Sequence, residues 1–75
     1  MREELLRSKM VAKKLSTTEF LEKLQGHGIS ISLAAYYRKK SGESDFTRKE
    51  ILGISEVLNL DDSDIMDIFF DDKVS

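Results

Sequence analysis

The sequence predicts an all-α fold, a compact bundle of five short helices, and three observations predict it. Apolar residues recur at three- and four-residue spacing in five successive windows. Ser16-Thr17-Thr18-Glu19 and Thr47-Arg48-Lys49-Glu50 both have the Ser/Thr-x-x-Glu form that opens a helix. The alternating run Ile29-Ser30-Ile31-Ser32 is too short for a dependable strand and leads instead into a helix.

The elements follow in order. The first helix is expected over 2–13: Leu6 and Met10 are one turn apart, Leu5 and Val11 flank the same side, and Glu3 and Glu4 stand in the first turn, where the helix dipole favours them. The second is expected over 17–25, with Phe20, Leu21 and Leu24 as its stripe; Gly26-His27-Gly28 ends it, because glycine accepts positive φ. A third is expected over 31–40, with Ser30 or Ser32 as its cap. Ser41-Gly42-Glu43-Ser44 forms a turn. The fourth, over 47–59, carries Ile51, Ile54, Val57 and Leu58 and closes at Asn59-Leu60. Asp61-Asp62-Ser63-Asp64 caps a fifth over 62–70, with Ile65, Ile68 and Phe69 at helical spacing.

Seventy-five residues make one domain, 1–75, with a thin core, since a chain of this size buries only about 60% of its unfolded surface. There is no cysteine to form a disulfide or thiolate metal site, and the single histidine has no second His or Cys to join it in holding a metal. No apolar run approaches the roughly 20 residues of a membrane span, and the first residues lack the apolar stretch of a signal peptide. A soluble intracellular protein is expected, with no membrane partner. Neither a phosphate-cradling glycine loop nor a base–nucleophile spacing is present, so the chain reads as no enzyme, with no cofactor and no small-molecule ligand.

The net charge of −2 conceals a division. Residues 1–49 hold eleven Lys/Arg against six Asp/Glu, whereas residues 50–75 hold one against eight. Much of the positive charge gathers in Tyr36-Tyr37-Arg38-Lys39-Lys40-Ser41-Gly42 and in Thr47-Arg48-Lys49. Such a cluster in an acidic chain suits a phosphate-facing surface, or equally a solvated rim.

Helix two, the glycine-containing turn and helix three form a helix-turn-helix candidate. Its third helix has Ile31, Ala35 and one edge of Tyr36 for docking, and Ser32, Leu33, Tyr37, Arg38 and Ser41 on the other side. Lys39, Lys40, Arg48 and Lys49 flank it for phosphate contacts, and the Thr47 cap opens a helix whose N–H groups can meet a phosphate.

Leu15-Ser16-Thr17-x-x-Phe20-Leu21, Ile31-Ser32-x-x-x-Tyr36-Tyr37-Arg38-Lys39-x-x-Gly42, Phe46-Thr47-Arg48-x-Glu50-Ile51-x-x-Ile54-x-x-Val57-Leu58-Asn59-Leu60 and Ile65-x-x-Ile68-Phe69-Phe70 resemble small phage regulators of the Cro/repressor type, in the xenobiotic-response-element class of helix-turn-helix proteins. The resemblance covers about residues 5–70. It implies a five-helix domain that binds double-stranded operator DNA in the bacterial cytoplasm, as a homodimer where it dimerises, and that acts in the choice between lysogenic and lytic growth. Three features depart from the family: a longer turn between Leu24 and Ile31, Leu21 where alanine is usual, and Leu33 and Ala34 at base-reading positions. The last two can touch a thymine methyl but cannot form bidentate base pairs.

A second function is open on the same scaffold, that of a modulator or antirepressor binding the partner phage repressor. Leu33, Ala34 and Phe70 would supply its apolar contacts, and Asp61, Asp62, Asp64 and Asp67 a negative face for a basic protein. His27, between two glycines, reads as exposed and inert.

Overall fold

Four stretches of this chain place a hydroxyl or carboxylate where a helix must begin. Ser16, Ser32, Thr47 and Asp61 each sit in extended backbone and accept a hydrogen bond from the backbone N–H three residues on. At Ser16, Thr47 and Asp61 the third residue, Glu19, Glu50 or Asp64, returns the bond to the cap's own N–H. Each cap is worth about 1 kcal/mol, a large fraction for so small a domain.

The computed structural model describes residues 1–70, and among them it contains five helices and no strand: α1 (Glu3–Ala12), α2 (Thr17–Gly26), α3 (Leu33–Ser41), α4 (Arg48–Leu58) and α5 (Asp62–Phe69). Residues 71–75, the last of the acidic third, lie outside the described residues. Among those described, no helix is long and apolar enough to cross a membrane. The radius of gyration, 11.5 Å, matches the roughly 11 Å of a compact chain of this length.

Helix ends follow the turn chemistry. Gly28 (φ +82°) and Gly42 (φ +95°) take the left-handed conformations that end α2 and α3, and Asn59 does the same after α4 at φ +56°. After Gly42 the N–H groups of Glu43 and Ser44 both donate to the Arg38 carbonyl, which closes α3 sharply. The third helix begins two residues later than periodicity suggests. Ser32 holds the cap, which leaves 29–32 as extended chain whose isoleucines point inward and whose serines point out.

The core is Leu6, Met10, Phe20, Leu24, Ile29, Tyr36, Ile54, Leu58 and Ile68. The closest helix pairings are α2 with α4, α1 with α5 and α4 with α5. The third helix docks mainly through one side chain. Tyr36 is 1% exposed, meets Phe20 edge-on at 5.9 Å between centroids, and directs its hydroxyl at the Met10 sulfur 3.5 Å away. Burial pushes that hydroxyl's pKa up to about 12, so it stays protonated. A chain of edge-to-face rings continues through Phe46 to Phe69. Val11, expected to flank the inner side of α1, is instead exposed, because Leu6 and Met10 define the inner line and Leu5, rather than Val11, packs at its edge against the core.

Two close fits complete the platform. A Cβ on Gly53 would land on Ile29 Cδ1 and lie 3.0 Å from its Cγ1, so α4 approaches the α2–α3 connection as only glycine allows. The Arg2 N–H donates to the Ile68 carbonyl at 2.8 Å and ties the start of α1 to α5.

Candidate interaction surface on α3 and α4

Helical geometry divides the cationic segment. Tyr36, Lys39 and Lys40 are spaced i, i+3 and i+4 and lie on the inner line of α3. Leu33, Ala34, Tyr37, Arg38 and Ser41 share the outer one. The outer strip is exposed along its length.

Lys39 is not a free rim cation. Its Nζ is 3.1 Å from Glu50 Oε1 and 3.1 Å from the Asp45 carbonyl, over the Phe46 ring, and both charged side chains are only 16% exposed. The same Glu50 oxygen accepts the Thr47 N–H at 2.8 Å. One carboxylate thus joins the last turn of α3 to the first of α4. Lys40 is committed as well, 3.4 Å from Glu3 Oε2 and stacked 5.0 Å from the Tyr37 centroid. Two cations of the cluster therefore hold the bundle together.

Arg38 is exposed, and among the described residues its guanidinium has no ion-pair partner; neither Glu43 nor Asp45 takes that part. Tyr37 stands beside it, half exposed. Ser41 donates its hydroxyl to the Arg38 carbonyl at 3.1 Å, so that proton is already in use. The Ser32 and Thr47 hydroxyls accept the cap bonds from Ala35 and Glu50 and keep their own protons to donate.

The two cations that open α4 diverge. Lys49 is one turn before Gly53, on the stripe that meets Ile29, and so lies towards the α2–α3 connection. Arg48 is one turn before Leu52 and lines a groove with Phe46, Ile51, Ile65 and Phe70, towards α5. A second groove, between α2 and α3, is lined by Leu21, Glu22, Gln25, Ile31 and Leu33, placing a carboxylate next to the start of the outer strip.

The acidic residues also separate. Asp61 and Asp64 cap α5 together, and Asp64 pairs with Lys9 at 3.2 Å. The Asp61 N–H, then Lys9, hold the Asp64 carboxyl below its ordinary range. Asp62 and Asp67 remain exposed. His27 is exposed as expected but not idle, since its Nδ1 lies 3.1 Å from Glu56 of α4. Among the described residues no three His, Cys, Asp or Glu side chains gather to hold a metal ion.

The sequence shows Glu50 as a cap, Glu3 as a first-turn acid and Ile29 as part of an alternating run, but not their partners Lys39, Lys40 and Gly53 across the fold. An isolated glycine inside a helical pattern was the available signal for Gly53, since it usually marks a close approach. Comparison with known proteins yields no match to a family model, a curated sequence or a solved structure.

Proposed function

We propose that this chain is a DNA-binding transcriptional regulator of the small Cro/repressor type, acting in a bacterial cytoplasm on a lysogenic/lytic switch. The α2–α3 pair serves as its helix-turn-helix, and the outer strip of α3 enters the major groove. The observation that carries this reading is Arg38, exposed and without an ion-pair partner among the described residues, on a helix whose rotation is set by buried Tyr36 and paired Lys39. Arg38 reads a guanine edge, Tyr37 and Ser32 meet phosphate or sugar, and Lys49 anchors the backbone.

With Lys39 and Lys40 engaged inside the fold and Arg48 turned towards α5, Arg38 and Lys49 are the two cations of the cluster left to meet the DNA charge, so about two phosphates are neutralised per chain. Log K then falls by roughly 2 per decade of salt, where five free cations would give more than 4. Selection from a random duplex library, followed by anisotropy titration against salt, tests this. Arg38→Ala is expected to weaken binding and relax preference at one base pair, at a cost of about 1–3 kcal/mol. Failure to enrich any sequence would defeat the proposal.

The α2–α3 groove favours a second reading. Glu22 repels phosphate, while Leu21, Ile31 and Leu33 beside it suit an apolar protein contact. In that reading the chain binds a basic repressor protein as a modulator or antirepressor. Co-expression with the repressor encoded beside it, in the absence of DNA, is the test; Glu22→Lys would then weaken the complex while strengthening any DNA binding.

A further inference from the structure

We infer that the groove between α4 and α5 is a binding site for a small amphipathic anion, a carboxylate on an unbranched alkyl chain of medium length. The groove holds about 450 Å³ and is lined by Phe46, Arg48, Ile51, Leu52, Ile65 and Phe70. That volume falls within the roughly 300–1,000 Å³ of small-molecule sites, and the lining has their usual make-up, apolar with a polar group that fixes orientation. Half-buried Phe46, Ile51 and Ile65 form the floor, and Leu52 (54% exposed) and Phe70 (53%) stand as walls.

Charge identifies the occupant. Arg48 is the one charged side chain on the lining, and among the described residues it has no ion-pair partner. The other grooves on this side of the fold supply their own counter-charge. Glu22 stands among the apolar groups between α2 and α3, and Glu3 and Glu43 share a groove with Arg38 and Lys40. Beside Arg48 no described carboxylate does so. A guanidinium receives a carboxylate in paired hydrogen bonds, so an anionic head gains a partner here that the fold leaves open. A cation of the same shape would meet like charge, and a neutral one would leave Arg48 unused.

Geometry sets the length of the tail. Ile51 and Leu52 follow Arg48 by one turn, on its side of α4 and about 5–6 Å along the axis. Phe70 and Ile65 of α5 face the same groove. Roughly six to eight carbons therefore reach from the guanidinium past Leu52. Two exposed side chains are far short of the ~1,000 Å² a specific protein contact needs, but they suffice to flank one alkyl chain. Arg38, Tyr37 and Lys49 do not line this groove, and the inference stands whether or not α3 binds DNA.

Octanoate, titrated into the full chain and followed residue by residue in amide NMR spectra, provides the test. Saturable shifts confined to residues 46–52 and 65–70 are expected, with a Kd of about 1 mM for so small a ligand. From hexanoate through heptanoate to octanoate, each methylene should tighten binding about fourfold, and carbons beyond the groove should add nothing. Octanol, of similar shape but neutral, should bind about tenfold more weakly. Arg48→Gln should bring octanoate down to the level of octanol and leave octanol unchanged, which a merely structural effect would not do. Leu52→Asp, at an exposed wall position, should abolish the octanoate shifts. The inference is overturned by shifts that do not saturate, by octanol binding as tightly as octanoate, or by indifference to Arg48→Gln. Shifts at these residues that follow chain concentration with no ligand present would give the groove to a second copy, and overturn it as well.

Discussion

Gly53→Ala is a substitution whose sign decides how closely α4 meets the α2–α3 connection. In an unobstructed helix interior the change stabilises by about 1 kcal/mol, because alanine loses less backbone entropy. Here the added Cβ lands on Ile29 Cδ1 and lies 3.0 Å from Cγ1, with Leu24 Cδ2 at 3.6 Å behind. Ile29 is 5% exposed and Leu24 fully buried, so the isoleucine cannot swing into solvent. Overpacking of this kind costs about 1–3 kcal/mol, which offsets the propensity gain and leaves a net loss of about 1 kcal/mol. For a domain of this size that lowers Tm by about 4–8 °C, readable by thermal and urea denaturation. The double variant isolates the cause. Valine at position 29 lacks the Cδ1 that the new methyl strikes, so Gly53→Ala in an Ile29→Val background should cost about 1 kcal/mol less than in the original chain. The reasoning fails if Gly53→Ala raises Tm, or if the two changes are additive.

Two further outcomes follow from the ion pairs. Lys39→Met removes the cation between α3 and α4; Glu50 keeps its Thr47 N–H bond, so the loss is about 1–2 kcal/mol rather than that of a stranded charge, and it should exceed the loss in Lys40→Met, all read by urea unfolding. Acid unfolding reports the caps. Ser16's N–H holds the Glu19 carboxyl below its ordinary 4.5, and Asp61's N–H holds Asp64 below 3.8. A lowered folded pKa gives stability that is full above the ordinary value and fades as pH falls through the lower folded one. Stability should therefore decline below about pH 4.5, and Glu19→Gln or Asp64→Asn should flatten that decline.

The helices were legible because their signals are local. Ser16, Thr47 and Asp61 each announce a helix within four residues, and the structure uses all three as caps. The start of α3 was less legible because Ser30 and Ser32 offer the same chemistry. The structure places the cap at Ser32, with Ile29 packed against Gly53 in the chain that precedes it. Residues 33, 34, 37, 38 and 41 do share one exposed face, as their spacing implies. The fate of the lysines was hidden, because it rests on Glu3 and Glu50, which lie 37 and 11 residues away along the chain. Charge counted along a sequence records which cations exist; pairing across the fold decides which are available.

That difference changes what the segment from Tyr36 to Lys40 does. Tyr36 fixes the depth of α3, Lys39 draws its last turn towards α4, and Lys40 draws it towards α1 through Glu3. Together they set the rotation of the helix about its axis, and Arg38 lies between them on the opposite side. The inner lysines thus act as aiming devices for one arginine, and the presented surface is more apolar than its composition suggests, with Leu33, Ala34 and Tyr37 around a single guanidinium. On the proposed reading, one copy of such a surface would bind DNA weakly. On a duplex with two half-sites a second copy of the strip would raise the salt slope from roughly 2 to roughly 4. A slope that remains near roughly 2 on such a duplex at saturating chain would show that two strips do not reach it together.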